Sequence, residues 1–199
     1  MPTFEQQVAM AVRSNKEYQK RVKALAKNSF ERKKTLMMHE FTSHPVTQEL
    51  SNEESPNISS TLGGYGNLFG FIGFNAGYDP IGPVEERLQE LVELLSVSFN
   101  VSGGSITIKY NVPSLDDFGD VAQYQGWREG GNWLKGIEAG IAGLGSFRTT
   151  LGEEDKGRSG VGFQMKGKSK SLGAAKNRFN NTKYMSSIIN NFKGAMENI

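Results

Sequence analysis

His39 and His44 flank Glu40, and Asp116, Asp117 and Asp120 crowd into one polar stretch; these residues are the chain's best material for metal or acid–base chemistry. A helical zinc site needs two histidines one turn apart with a glutamate between them, and no HExxH spacing is present. His39 and His44 are therefore expected as a surface or capping pair. A calcium loop needs a fixed alternation of oxygen ligands closed by a bidentate glutamate. The three aspartates lack both the order and the closing residue, and a solvated loop is expected there.

Gly64-Tyr65-Gly66-Asn67-Leu68-Phe69-Gly70 has the look of a phosphate-cradling loop, but its third glycine falls one residue late. The run beyond it also reads as a strand, whereas pyrophosphate binding needs a helix N-terminus there. No serine sits in a GxSxG elbow. The absence of cysteine removes thiolate chemistry and Cys-type zinc sites. Phe69, Phe71 and Phe74 beside basic segments suggest an RNA-reading sheet, yet the basic-Gly-aromatic-Gly start of that signature is missing. No catalytic, cofactor-binding or metal-binding residue is assigned, no cofactor is expected, and the chain is expected not to be an enzyme.

The elements that would position any such residues give an α+β layout. Phe4, Val8 and Val12, then Tyr18, Val22, Leu25, Leu36 and Phe41, follow helical spacing and predict one long helix or two consecutive ones over 4–41. The remaining faces are basic, with Arg13, Lys16, Lys20, Arg21, Lys23, Lys27, Arg32, Lys33 and Lys34. His44-Pro45 ends that region, because the residue before proline is pushed out of helix. Residues 45–60 read as an exposed loop, and Leu68 to Phe74, aromatic and β-branched, as a strand. Gly70 and Gly73 within it imply a bulge or a close backbone approach.

Asp79 to Pro83 is a turn leading into a helix with Val84, Leu88, Leu91, Val92 and Leu95, Pro83 suiting its first turn. Val97, Phe99 and Val101, the pair Gly103-Gly104, then Ile106, Ile108 and Tyr110 spell a β-hairpin. A further helix is expected over about 129–145, with Leu134, Ile137, Ile141 and Leu144 on one face. Glycines at 136, 140 and 143 weaken it by roughly 1 kcal/mol each unless it is tightly packed. Lys156 to Arg178 holds no acidic residue and is rich in Gly and Ser, so it is expected to be mobile in the isolated chain. Helical spacing returns through Met185, Ile188, Ile189, Phe192 and Met196.

The 199 residues divide accordingly into an α+β core domain with its long N-terminal helix, 1–150, and a basic arm with a C-terminal helix, 151–199. Apolar residues make up 37% of the chain, below the usual ~45–50%, so part of it is expected outside the core. The net charge of +2 is unremarkable, but its clustering points to a polyanion or an acidic protein face. No secretory leader and no membrane-spanning stretch is expected.

The string His44 to Leu50, then Ile58 to Phe74, resembles a pattern found in virion structural proteins of tailed bacteriophages. So do Arg158 to Gln164 and Arg178 to Tyr184. The order of long helix, Gly-Asn-Leu entry, helix, hairpin and helix resembles the layout of tail-completion proteins of the phage neck. The resemblance implies a subunit of an oligomeric ring joining head and tail, a tail-completion or tail-terminator protein, commonly sixfold. It would be made in the host cytoplasm and carried in the virion. Its partners would be copies of itself and other neck, portal-side or tail proteins, with weak electrostatic contact to DNA and none to membrane. Another tail part, tube or baseplate, and a nucleic-acid-binding protein are the alternatives.

Gly66 and Gly70 bracket the aromatic run as if a side chain cannot fit. Valine at Gly70 is expected to lower stability or assembly by about 1–3 kcal/mol, as overpacking does. A variant with unchanged melting temperature and normal assembly would show the glycine to be incidental.

Overall fold

The computed structural model describes residues 2–51, 59, 61, 68–124, 131–139, 146–148, 163–165 and 182–197. The N-terminal helical region is two helices, α1 (Phe4–Ser14) and α2 (Lys16–Ser43), with one residue between them. Thr3 opens α1 with a capping box, its hydroxyl accepting from the Gln6 N–H while the Gln6 side chain accepts from the Thr3 N–H. Asn15 is extended, and its Oδ1 accepts from the N–H groups of Glu17 at 2.9 Å and Tyr18 at 3.1 Å. Asparagine is among the best N-caps, so one side chain stops α1 and starts α2. The second helix is about 42 Å long and buries Ala26, Phe30, Met37 and Phe41 on one face.

His44 repeats the device. Its extended backbone ends α2, its carbonyl accepts from the Gln48 N–H at 3.0 Å, and its Nδ1 accepts from the Val46 N–H at 3.2 Å. Pro45 then occupies the first position of α3 (Pro45–Ser51), where a missing N–H costs nothing. The loop expected over 45–60 is thus a helix at its start, with Val46, Thr47 and Leu50 buried. Proline here ends one helix and begins the next, a double use that composition alone conceals. Residues 52–58 and 60 lie outside the described residues.

The strand expected at Leu68 to Phe74 is also corrected: Leu68–Ile72 is a short helix, α4, with all five residues buried. Gly73 takes φ +87°, and the Phe74 N–H reaches back to the Phe69 carbonyl at 3.3 Å, the closure of a Schellman stop. The apolar contact that accompanies such a stop is present, the Phe69 and Phe74 rings lying 5.3 Å apart. A short apolar run with no period does not distinguish buried helix from buried strand. The helix-terminating geometry of Gly73 settles it. Gly70 sits inside α4, and Gly66 lies outside the described residues.

The Asp79 carboxylate closes the next turn by accepting from the N–H groups of Ile81 and Gly82, both at 2.9 Å. A Cβ on Gly82, where α5 (Gly82–Leu91) begins, would meet that carboxylate and oblige it to shift. The helix buries Val84 and Leu88 and passes directly into β1 (Glu93–Asn100), which pairs antiparallel with β2 (Ser105–Asn111) as the hairpin read from the sequence. Leu95 belongs to β1, where the register shifts between Leu94 and Ser96, and not to the helix. Leu94, Val97 and Phe99 face Tyr110, Ile108 and Ile106 across the ladder, and all but Ile106 are half-buried toward α2. The opposite face, Ser96, Ser98, Asn100, Thr107 and Lys109, is exposed.

A 3₁₀ turn at Leu115–Phe118 follows, then α6 (Trp133–Ala139). The expected helix over 129–145 is seen only across those seven residues, and 125–130 and 140–145 lie outside the described residues. Within the basic arm, Phe163–Met165 forms β4, paired antiparallel with β3 (Ser146–Arg148). The rest of 156–178, where the mobile segment is expected, lies outside the described residues.

The final helix, α7 (Met185–Met196), packs along α2 and buries Met185, Ile188, Ile189, Phe192 and Met196. Its N-terminus takes the Glu138 carboxylate of α6, which accepts from the Ser186 N–H at 2.7 Å. A carboxylate there also complements the helix dipole. Lys33 holds the other end by donating to the Ala195 carbonyl, and Asn191 donates to Glu40 at 2.7 Å. The C-terminal helix, expected to belong with the arm, thus lies in the same core as α2. The whole is α+β, with a long N-terminal helix and a small antiparallel sheet packed by helices.

Phe192 stacks edge-on to Phe30 and to Tyr110, with centroids 5.9 Å away in both cases. Truncation to alanine removes the ring shared by α2, α7 and the hairpin, and is expected to cost about 3–5 kcal/mol. A urea titration measures it; a loss below about 1 kcal/mol would mean that α7 is not part of the cooperative core.

Candidate functional site

The acidic residues and His44, singled out by type, are engaged in local structure. Asp116 pairs with Lys135, and Asp120 with Arg87. Asp117 accepts from the Ser114 N–H at 2.7 Å and from its hydroxyl at 2.9 Å, which holds its carboxyl below the usual range. His39 is exposed, while His44 is half-buried and acts as a cap. Among the described residues no group of three His, Cys, Asp or Glu is placed to hold a metal ion. Phe69, Phe71 and Phe74 are buried in the core, so they form no stacking platform for bases.

His44 also packs against the ring of a buried tyrosine. Its ring lies 4.7 Å from that of Tyr184, whose hydroxyl shares a 2.5 Å hydrogen bond with Thr47. Burial pushes the Tyr184 hydroxyl far above its ordinary pKa, so it serves as a neutral hydrogen-bonding post rather than an acid or base.

What the fold leaves open is a surface. A groove of about 660 Å³ runs between α2 and β1. Lys23, Ala24, Lys27 and Phe30 form its helix wall, and Leu94 to Val97 form its strand wall. The hairpin lies along α2 with its tip toward the helix start: Tyr18 packs on Phe99 at 5.9 Å, and Phe30 on Tyr110 at 6.1 Å. Lys23 and Lys27 therefore sit toward the tip, while Glu31, Glu90 and Glu93 sit at the α5 end. Lys34 is occupied there, donating to the carbonyls of Gln89 and Val92, both at 2.7 Å. A second depression beside Thr35, Met38 and Gln89 continues the groove along α5.

Lys16, Lys20, Lys23 and Lys27 recur at helical spacing on one face of α2, are all exposed, and none forms an ion pair with a described residue. That period was visible in the sequence; the strand beside it was not, because the groove arises only when α2 and β1 are brought together.

The second open surface is α1. Ala9 and Arg13 face the molecule, with Arg13 donating to the Ser102 carbonyl at the hairpin tip at 3.4 Å. Gly104 takes φ +65°, a conformation that favours glycine, and the Arg13 guanidinium lies over it. The apolar stripe points the other way: Phe4 is 79% exposed, Val8 47% and Val12 49%. No residue of α1 is buried.

The His44 cap gives a pH prediction. Burial lowers its pKa from the ordinary 6.5, against a raising influence from Glu40, and the unprotonated Nδ1 is the form that accepts from the Val46 N–H. A depressed folded pKa means that this stability is present above the unfolded value and is lost as pH falls below it. Urea midpoints are expected to drop from about pH 7.5 to about pH 5.5 in the wild type, and to drop less in His44→Asn, which keeps an acceptor without titrating. Equal drops in both proteins would assign the acid sensitivity elsewhere.

Compared with known proteins, the chain matches no family model, no curated protein and no solved structure.

Proposed function

We propose that the chain is a non-enzymatic structural subunit of a tailed-phage neck, a tail-completion or tail-terminator protein that assembles with copies of itself into a ring, six being the expected number. The observation that carries this reading is α1. An 11-residue helix is shorter than the ~12–15 residues that persist alone in water. Here it keeps its apolar stripe outward, so neither propensity nor any described residue of its own chain accounts for that stripe. Covering Phe4, Val8 and Val12 is worth about 1.5–3 kcal/mol for each fully buried side chain, a gain that a neighbouring subunit would supply. A closed ring offers such a neighbour to every subunit through a heterologous contact. The phage-like strings at His44 to Leu50 and Ile58 to Phe74 direct the reading to the virion rather than to any ring.

The unpaired lysines of α2 favour a minor DNA contact as well. Such contact is electrostatic, weakens steeply with salt and reads no sequence. It accompanies a neck role and does not define one.

Disrupting the gene in a phage that carries it is expected to yield filled heads and free tails, which purified protein joins on mixing. Mass measurement of that protein is expected to give one closed oligomer, and Phe4→Glu with Val8→Glu is expected to leave folded monomers. Intact infectious particles from the disrupted phage would overturn the neck reading. A charged α1 that still assembles would remove its structural support.

A further inference from the structure

The sheet that carries the groove has two strands, and among the described residues nothing pairs with the outer edge of β1. A row of free N–H and C=O groups is a template for another strand. Proteins blunt such edges with charge, bulges or a covering element, and β1 uses only the bulge at Leu94 to Ser96. Beyond the bulge, Ser96 to Asn100 presents a regular edge. Leu95, on the groove wall, is 54% exposed.

We propose that the groove between α2 and β1 is a strand-acceptor site. It takes an extended polypeptide segment of a partner, paired through its main chain to β1, with acidic side chains against Lys23 and Lys27 and basic ones against Glu31, Glu90 and Glu93. This site is separate from α1, and it stands whether or not the chain belongs to a neck ring.

Three features specify the occupant. The open edge demands an extended backbone with its own N–H and C=O groups, which a helix, a sugar or a lipid does not offer. The spacing fits: helix positions four apart, such as Lys23 and Lys27, are separated by about 6 Å along the axis, and alternate residues of a strand by about 6.7 Å. Two same-side carboxylates of the added strand therefore meet both lysines. The charge order decides between polypeptide and nucleic acid. Phosphates would suit Lys23 and Lys27, but the same walls carry Glu31, Glu90 and Glu93, and a uniformly anionic strand would be repelled at that end.

The test uses the full-length chain and synthetic peptides of about eight residues, valine at alternate positions, with two glutamates at one end and two lysines at the other. Both chain directions are made. One of them is expected to bind and to slow amide exchange of outward-facing N–H groups within Ser96 to Asn100, followed residue by residue by NMR. The same peptide N-methylated on alternate backbone nitrogens is expected not to bind, since it lacks the donors for pairing. Lys23→Glu with Lys27→Glu, both exposed positions, is expected to weaken binding by about tenfold or more. Binding that survives N-methylation, protection on β2 instead of β1, an unchanged affinity in the double variant, or no binding in either direction would overturn the proposal. So would single-stranded DNA protecting the same amides more strongly than the peptides do.

Discussion

Three rings from three elements hold the molecule together. Phe30 of α2, Tyr110 of β2 and Phe192 of α7 form a closed triangle, with centroids 5.9 to 6.1 Å apart on every side. Tilted and edge-on aromatic contacts at this spacing add about 0.5–1.5 kcal/mol each to the burial of the rings themselves. A two-stranded sheet is marginal alone and needs a packed face; the triangle supplies it by pinning the hairpin to α2. It also explains why α2 is not a free rod. Its buried side is engaged by α7 and the hairpin together, so the flank beside β1 is left bordered but unfilled.

Most of what local pattern specifies was legible. The hairpin followed from strict alternation around Gly103-Gly104, and α5 and α7 from apolar positions at helical spacing. The second helix, α2, is a helix as expected, but of the stripe read for it only Phe41 is buried, Tyr18, Leu25 and Leu36 being exposed and Ala26, Phe30 and Met37 taking the core face. Elements specified by burial were not. The five residues of α4 are all enclosed, so no polar face marks a period, and their aromatic and β-branched composition imitates a strand. The seven residues of α3 hide behind Pro45, which signals an end equally well as a beginning. The candidate groove was half legible: the lysine period of α2 stands in the sequence, while the strand edge beside it depends on residues some seventy positions away.

Polar groups in this fold are largely spent on joints. Asn15 and His44 each close one helix and open another, Glu138 caps a helix that is not its own, and Asp79 shapes the entry to α5. Such use explains why residue types that suggested metal or acid–base chemistry form no shared centre. Lys16, Lys20, Lys23 and Lys27, which form no ion pair with a described residue, share one exposed face of α2.

The packing of α7 along α2 also governs when the fold can exist during synthesis. Phe30 and Phe192 are separated by most of the chain, and loop closure over such a span must be met before its contacts return any stability. Until α7 has been made, α2 has no partner for the side that α7 will cover. Phe30, Met37 and Phe41 then remain available to any apolar surface nearby, the condition in which nascent chains recruit chaperones or aggregate. Synthesis of α7 is therefore the step that covers the exposed apolar side of α2.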